Sequence, residues 1–291
     1  MSETSEEPRI LVITPVRDER AHLGATIASM VSQTLRPAAW MIVDDGSCDG
    51  TGELIDEAAA AHPWIRGCRR EDRGRRQVGG GVIEAFNSGL EHFDLDQFDY
   101  VCKLDGDLQF GERYFELLLE KFAADPRLGT ASGKCWDRTA TGWTLLRTGD
   151  DFSLGAAKCY RVECFRAIGG FVAEVMWDGI DCHRCLMLGW RAQSFHDEQL
   201  RLFELRPMGS SDRSVFHGRW RWGWGQYYIG THWLYALGIS IYRTFERPYG
   251  LGGACILGGY LWALVRREPR YPDLEFRRHL QRWQLARLRA S

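Results

Sequence analysis

Tyr100-Val101-Cys102-Lys103-Leu104-Asp105-Gly106-Asp107 is a mostly apolar run that ends in two carboxylates separated by one glycine. Two carboxylates at the end of a strand repel each other unless something positive lies between them. A divalent cation holding a diphosphate meets that need, because Mg2+ or Mn2+ takes hard oxygen ligands and keeps waters and substrate phosphates in its remaining positions. Alone, an Asp-x-Asp pattern is equally served by an Asp-Gly turn. The elements that would have to carry these side chains decide between the two.

Apolar residues of β-branched and aromatic character before Asp105 suit a strand covered on both faces. Arg9 to Val16 is another such run and leads into a helical period at Leu23, Ile27, Met30 and Val31. Ala38 to Val43 is a second, ending in Asp44-Asp45-Gly46-Ser47-Cys48-Asp49-Gly50-Thr51 before an alanine-rich helix; Ile65 to Arg69 is a weaker third. Helices are expected over 82–92 and 114–124, and a strand over 130–135. This alternation predicts an α/β fold with a mostly parallel sheet flanked by helices, in which ligands bind at the carboxyl ends of strands. Pro15 with Arg17 and Glu19, Asp44 with Asp45, and Asp105 with Asp107 all fall at such ends. Gathered along one rim, they favour the cation reading over unrelated turns.

Composition narrows the classes. The 291 residues are 45% hydrophobic and 26% charged, an ordinary globular balance, and a formal charge of -2 gives no reason to expect nucleic acid as a partner. No basic and apolar leader opens the chain at Met1 to Pro8, which predicts a cytoplasmic protein. Nine scattered cysteines read as reduced thiols, Cys182 and Cys185 included. A GxGxxG after the first strand and a GxxxxGK[ST] loop are both missing, which disfavours dinucleotide enzymes and nucleotide triphosphatases. The basic, glycine-rich stretch Gly74 to Gly81, at a helix start, reads equally as an anion cradle or as a solvated loop.

Four motifs in order now carry a resemblance: Thr14-Pro15-Val16-Arg17-Asp18-Glu19; Val43-Asp44-Asp45-Gly46-Ser47 with Asp49-Gly50-Thr51; Ala85-Phe86-Asn87-Ser88-Gly89-Leu90; and Leu104-Asp105-Gly106-Asp107. Over its first two hundred or so residues the chain resembles the family 2 glycosyltransferases, inverting enzymes of the GT-A fold that use nucleotide-diphosphate sugars. The resemblance implies donor contacts at Pro15, Arg17, Glu19, Asp44, Asp45, Asn87 and Asp105, and a metal held by Asp107 and Asp105. Gly155 and Ala156 resemble the floor of the sugar and acceptor pocket. Trp177-Asp178-Gly179-Ile180-Asp181, with Gly189-Trp190-Arg191 behind it, resembles the Glu-Asp motif that supplies the catalytic base. Trp177 replaces the usual glutamate, and counting back from Gly189 puts the base at Asp178, with Trp177 and Asp181 beside it on the acceptor side. As an alternative, Asp178 would cap a helix starting near Ile180. The histidine that the family often adds as a metal ligand is missing after Arg201 to Leu205, leaving Glu204 or His217 to serve.

Beyond residue 215 the character changes, and domains are expected at 1–215 (catalytic) and 216–291 (an aromatic-rich, basic extension). Trp220, Trp222, Trp224, Tyr227, Tyr228 and Trp233 crowd one stretch, with Trp220 read as acceptor-side. No charged residue falls within 222–242 or 248–265, and the tail sets Phe276, Leu280 and Trp283 among arginines, as in a helix lying on anionic lipid. These features predict a protein peripheral at the inner face of the membrane, with interfacial or re-entrant segments; packing on the catalytic domain or a homo-oligomer contact is the alternative. The expected activity is metal-dependent transfer of a sugar to a hydroxyl of a sugar or lipid-linked acceptor. A sugar nucleotidyltransferase would open with glycines that Thr14-Pro15-Val16-Arg17 lacks. Intact Asp105, Asp107 and Asp178 disfavour a catalytically inactive membrane assembly subunit.

Overall fold

The computed structural model describes residues 7–74, 79–139, 142–146, 148–206, 214–245 and 249–290. Strands β1 (Ile10–Val16), β2 (Ala39–Asp44), β3 (Ile65–Arg69) and β4 (Tyr100–Leu104) alternate with helices α1 (Arg20–Val31), α2 (Thr51–Ala61) and α3 (Gly80–Leu90). Then follow β5 (Leu108–Phe110), α4 (Tyr114–Ala124), β6 (Leu128–Gly133), β7 (Cys135–Thr139), β8 (Gly142–Leu145), β9 (Ala157–Arg161) and α5 (Val162–Ala167). The chain continues through α6 (Trp177–Met187), β10 (Arg191–Phe195) and β11 (Leu202–Glu204) to four helices, α7 (Val215–Ile229), α8 (Trp233–Thr244), α9 (Leu251–Arg266) and α10 (Leu274–Ala290).

A seven-stranded sheet runs β10-β6-β9-β4-β1-β2-β3. Every residue of β1, β2 and β4 is buried, the pattern of strands covered on both faces. The strands pair in parallel except at β9, which runs antiparallel to both β4 and β6. Strand order reverses at β1: β2 and β3 lie to one side, β4 to the other. The crevice beyond the carboxyl ends of β1 and β4 is therefore where such a sheet accepts ligand. After β4 the chain turns through Asp105-Gly106-Asp107 into a second sheet, β5-β11-β7-β8, which the sequence did not announce. Antiparallel pairing of β5 with β11 sets Glu204 opposite Leu108, one residue from Asp107.

The chain divides into two compact units, 1–174 with 188–207, and 175–187 with 208–291. This differs from the expected boundary at 215 by one element, because α6 belongs with the C-terminal helices. The reason is a shared apolar face: His183 of α6 stacks edge-on against Phe276 and Trp283 of α10, with ring centres 6.1 and 5.0 Å apart. Phe276 and Leu280 are buried. The tail helix thus spends on α6 the apolar stripe that was expected to face lipid.

In this second unit the glycines within 248–265 let helices touch backbone to backbone. A Cβ on Gly259 would overlap the carbonyl oxygen of Trp220 on α7, and one on Gly253 would overlap that of Ser240 on α8. Gly223 of α7 meets the Ile256 carbonyl in the same way. The aromatic stretch is divided accordingly: Tyr227 and Tyr228 are buried, and Trp220 and Trp233 remain exposed. Among the described residues no helix is long and apolar enough to cross a membrane.

Candidate active site

The loops after β1 and β2 are locked to each other. Asp18, at φ 53°, donates its backbone N–H to the Ser47 hydroxyl at 2.9 Å and accepts from the Cys48 N–H on Oδ1 at 2.9 Å. The N–H of Glu19 reaches Thr51 Oγ1 at 2.8 Å, and that of Arg20 reaches Asp49 Oδ2 at 3.0 Å. Ser47, Asp49 and Thr51 thus hold the rim together. Asp44 is used locally too, its Oδ1 accepting from the Ser47 N–H at 2.8 Å, while Pro15 is buried in β1.

Arg17 is buried and bridges to the next loop, donating to the Asp45 carbonyl and to Asp72 Oδ1, each at 2.6 Å. Asp72 comes close because residue 46 is glycine: at φ +80°, a Cβ there would lie 2.5 Å from the Asp72 Cα. Both carboxylate oxygens of Asp45 are held, Oδ1 by Arg70 and Oδ2 by Arg73, each at 2.6 Å. Neither arginine was singled out from the sequence, although the basic character of that loop was plain. Half of the expected anion cradle, residues 75–78, lies outside the described residues. Asn87 is half-buried on α3, where Gly89 allows the helix to sit directly on Val43 and Ile13.

At the centre, Asp105 pairs with Lys103, two residues back on the same strand face, and the Lys103 ammonium also donates to the Gly155 carbonyl at 2.7 Å. The Asp105 N–H donates to the Ala156 carbonyl at 2.8 Å, so Gly155 and Ala156 are tied to the carboxylate strand. Gly106 is needed where it stands, since a Cβ would overlap Val16 of β1. Arg206 pairs with Glu19 and brings its Nε to 3.9 Å from Asp107 Oδ2.

Among the described residues Glu19, Asp105, Asp107 and Glu204 gather at this rim, Glu19 buried and the other three half-buried. Burial and then the neighbouring Glu19 raise the Asp107 carboxyl above the usual range, against the pull of Arg206 and Lys103. Burial pushes Glu204 up to about 8; a hydrogen bond with Cys135 opposes the rise, and Asp105, Asp107 and Asp137 add to it. Carboxyls held high by burial and by one another mark a candidate functional site. Among the described residues, no three His, Cys, Asp or Glu side chains are grouped to chelate an ion by themselves. The carboxylate oxygens of Asp105 and Asp107 are hard donors of the kind that Mg2+ or Mn2+ takes together with phosphate and water.

The remaining candidates lie in the second unit. Asp178 is exposed in the first turn of α6, which begins at Trp177, so Asp178 is inside the helix and not its cap. Trp177 is buried, and Asp181 is 1% exposed with its Oδ1 accepting from the Cys182 N–H at 2.6 Å. His217 is exposed in the first turn of α7, its N–H bound to the Ser214 capping hydroxyl at 3.1 Å. Trp220 is 38% exposed.

The sequence signature described as Glycosyl transferase family 2 matches residues 11–171, more than half of the chain and nearly all of the rim described above. The chain belongs to that family. The poly-beta-1,6-N-acetyl-D-glucosamine synthase of Staphylococcus aureus is 28% identical over 116 residues, 40% of this chain and 26% of that protein. Glycosyltransferase GlyA of Streptococcus pneumoniae is 28% identical over 126 residues, 42% of this chain and 17% of its own length. The chain thus spans about a quarter or less of these relatives. Among solved structures, the mannosyltransferase PcManGT from Pyrobaculum calidifontis, in complex with GDP-Man and Mn2+, superposes with a TM-score of 0.56 at 19% identity, covering 97% of this chain and 86% of that one. Staphylococcus aureus TarS 1-349 in complex with UDP gives 0.54 at 13% identity, covering 89% and 72%. At these identities the likeness establishes the GT-A fold.

Proposed function

We propose that this family 2 protein is an inverting, metal-dependent glycosyltransferase that moves a sugar from a nucleotide-diphosphate donor to a hydroxyl of a glycan or lipid-linked acceptor at a membrane surface. The observation that carries the reading is the gathering of carboxylates at the switch point of the sheet: Glu19, Asp105, Asp107 and Glu204, with the carboxyls of Asp107 and Glu204 held above the usual range. GDP-Man with Mn2+ in one structural neighbour and UDP in another support a nucleotide-diphosphate donor here.

In this reading Asp107 with Asp105 would hold the cation, Glu204 standing near, and the cation would supply positive charge to the departing diphosphate. Arg17, Asp44 and Asp45 form the wall for the base and ribose, and each Asp45 oxygen keeps a second lone pair for a donor group of the nucleotide. Asp178 takes the proton of the acceptor hydroxyl as it attacks the anomeric carbon. Of the two nearby aspartates it suits that role, being exposed where Asp181 is buried.

Asp178→Asn keeps the side-chain shape and removes the base. Turnover in a donor-consumption assay should fall by about 10² to 10⁴ while donor affinity holds. Near wild-type turnover in Asp178→Asn, with an inactive Asp181→Asn, would transfer the role to Asp181.

A further inference from the structure

With Phe276 and Leu280 of α10 buried, the second unit still carries two apolar faces that none of the described residues covers. Along α8, Trp233, Leu237 and Ile241, with the C-cap residue Phe245, recur every four residues and are 59, 37, 55 and 76% exposed. On α9, which packs directly on α8 through Gly253, Leu261 and Val265 are 46 and 79% exposed. Such a stripe is a cost in water unless it has an occupant.

Charge identifies the occupant. The described residues of α7, α8 and α9 include no Asp or Glu, whereas Arg219, Arg221, Arg243 and Arg266 lie among them. Two of these guanidinium groups sit over aromatic rings of the same helices, Arg243 at 5.7 Å from the Tyr242 ring centre and Arg266 at 5.4 Å from that of Trp262. Aliphatic side chains flanked by cation–aromatic pairs, on helices whose described residues include no carboxylate, match the boundary between acyl chains and anionic headgroups. A second copy of this chain would bring the same cations against each other, and a glycan has no use for Ile241 or Val265. The helices are too short and too polar to span, so they would lie in the interface.

We infer that the exposed faces of α8 and α9 dock this protein onto anionic lipid, and that the arginine-rich tail helix is a structural brace of the unit. This deepens the membrane partner proposed above and rests on that reading. Lipid binding is measured without donor or acceptor, so its failure is separable from failure of the transfer reaction.

The test is co-sedimentation of the full chain with phosphatidylcholine vesicles containing increasing phosphatidylglycerol, at low and high salt. Wild type should bind the anionic vesicles and release with salt. Leu237→Glu with Ile241→Glu, both already exposed, should abolish binding with the circular dichroism and melting temperature unchanged. Arg243→Gln with Arg266→Gln should weaken binding to anionic vesicles by about an order of magnitude and flatten its salt dependence. A wild-type protein that stays in the supernatant overturns the inference. So does a dimer, seen by light scattering, that Leu237→Glu with Ile241→Glu dissociates, since the face would then be a contact between copies. Loss of binding in Arg278→Gln with Arg282→Gln alone would return the role to the tail helix.

Discussion

Lys103→Met tests whether the rim is held by charge balance. Lys103 is 2% exposed, and its ammonium pairs with Asp105 and donates to the Gly155 carbonyl at 2.7 Å. Methionine keeps the length of the stem and deletes the charge. Losing a charged hydrogen bond to a carbonyl costs about 1.5–3 kcal/mol. Taking one cation from the Asp105 carboxylate adds to this, though less than the roughly 3–5 kcal/mol of a dry pair, because the Asp105 side chain is 34% exposed and water recovers part of it. Buried methionine stem offsets some of the loss, so a net cost of about 2–3 kcal/mol is expected. In a unit of this size that lowers the melting midpoint by about 4–12 °C, readable by scanning calorimetry. Lys103→Met with Asp105→Asn should be less damaged than the two single losses summed, by about 1 kcal/mol or more, since neither charge is then stranded. Strict additivity, or a Lys103→Met midpoint indistinguishable from wild type, would refute charge balance as the organising principle of the site.

In the second unit, Gly259→Ala forces a Cβ into the Trp220 carbonyl and should cost about 1–3 kcal/mol or more by overpacking. Gly238→Ala on α8, whose nearest neighbour would be Leu288 at 3.9 Å, should be neutral or stabilising by up to about 1 kcal/mol. Equal melting temperatures for the two variants would show that close helix approach is not what the α9 glycines provide. Glu116, half-buried on α4, is held down to about 2 by Arg113 and the Thr34 hydroxyl. Its folded value lies below the unfolded one, so its small contribution is present above the ordinary carboxylate range and is lost as pH falls towards about 2. Glu116→Gln should flatten the acid limb of the melting temperature against pH, and an unchanged limb would contradict the assignment.

The parallel half of the fold was legible because β1, β2 and β4 are buried on both faces and write that fact as unbroken apolar runs. Strand direction was not legible at β9: Ala157 to Arg161 reads as any short strand, and only its pairing with β4 and β6 sets it antiparallel. The rim carboxylates Glu19, Asp44, Asp45, Asp105 and Asp107 were found from their position after strands, a local signal. The cations that balance them were not. Lys103 was visible as a charge inside an apolar run, two residues before Asp105 and therefore on its face, and its pairing could have been drawn from that spacing. Arg206 comes from a segment 187 residues beyond Glu19, and no local pattern joins the two. The tail helix shows the opposite failure. Its amphipathic period was read correctly, but a period does not say what covers the stripe, and the partner proved to be α6.

The central claim is that the carboxylate rim receives a diphosphate through a divalent cation, and titration calorimetry with UDP and GDP, with Mn2+ or with chelator, tests it without any acceptor. Wild type should bind at least one of the two with Mn2+ and lose most of that affinity in chelator, and Asp107→Ala should bind equally weakly in both. A wild-type protein that binds as tightly in chelator as in Mn2+, or an Asp107→Ala variant that keeps cation-dependent binding, would contradict it.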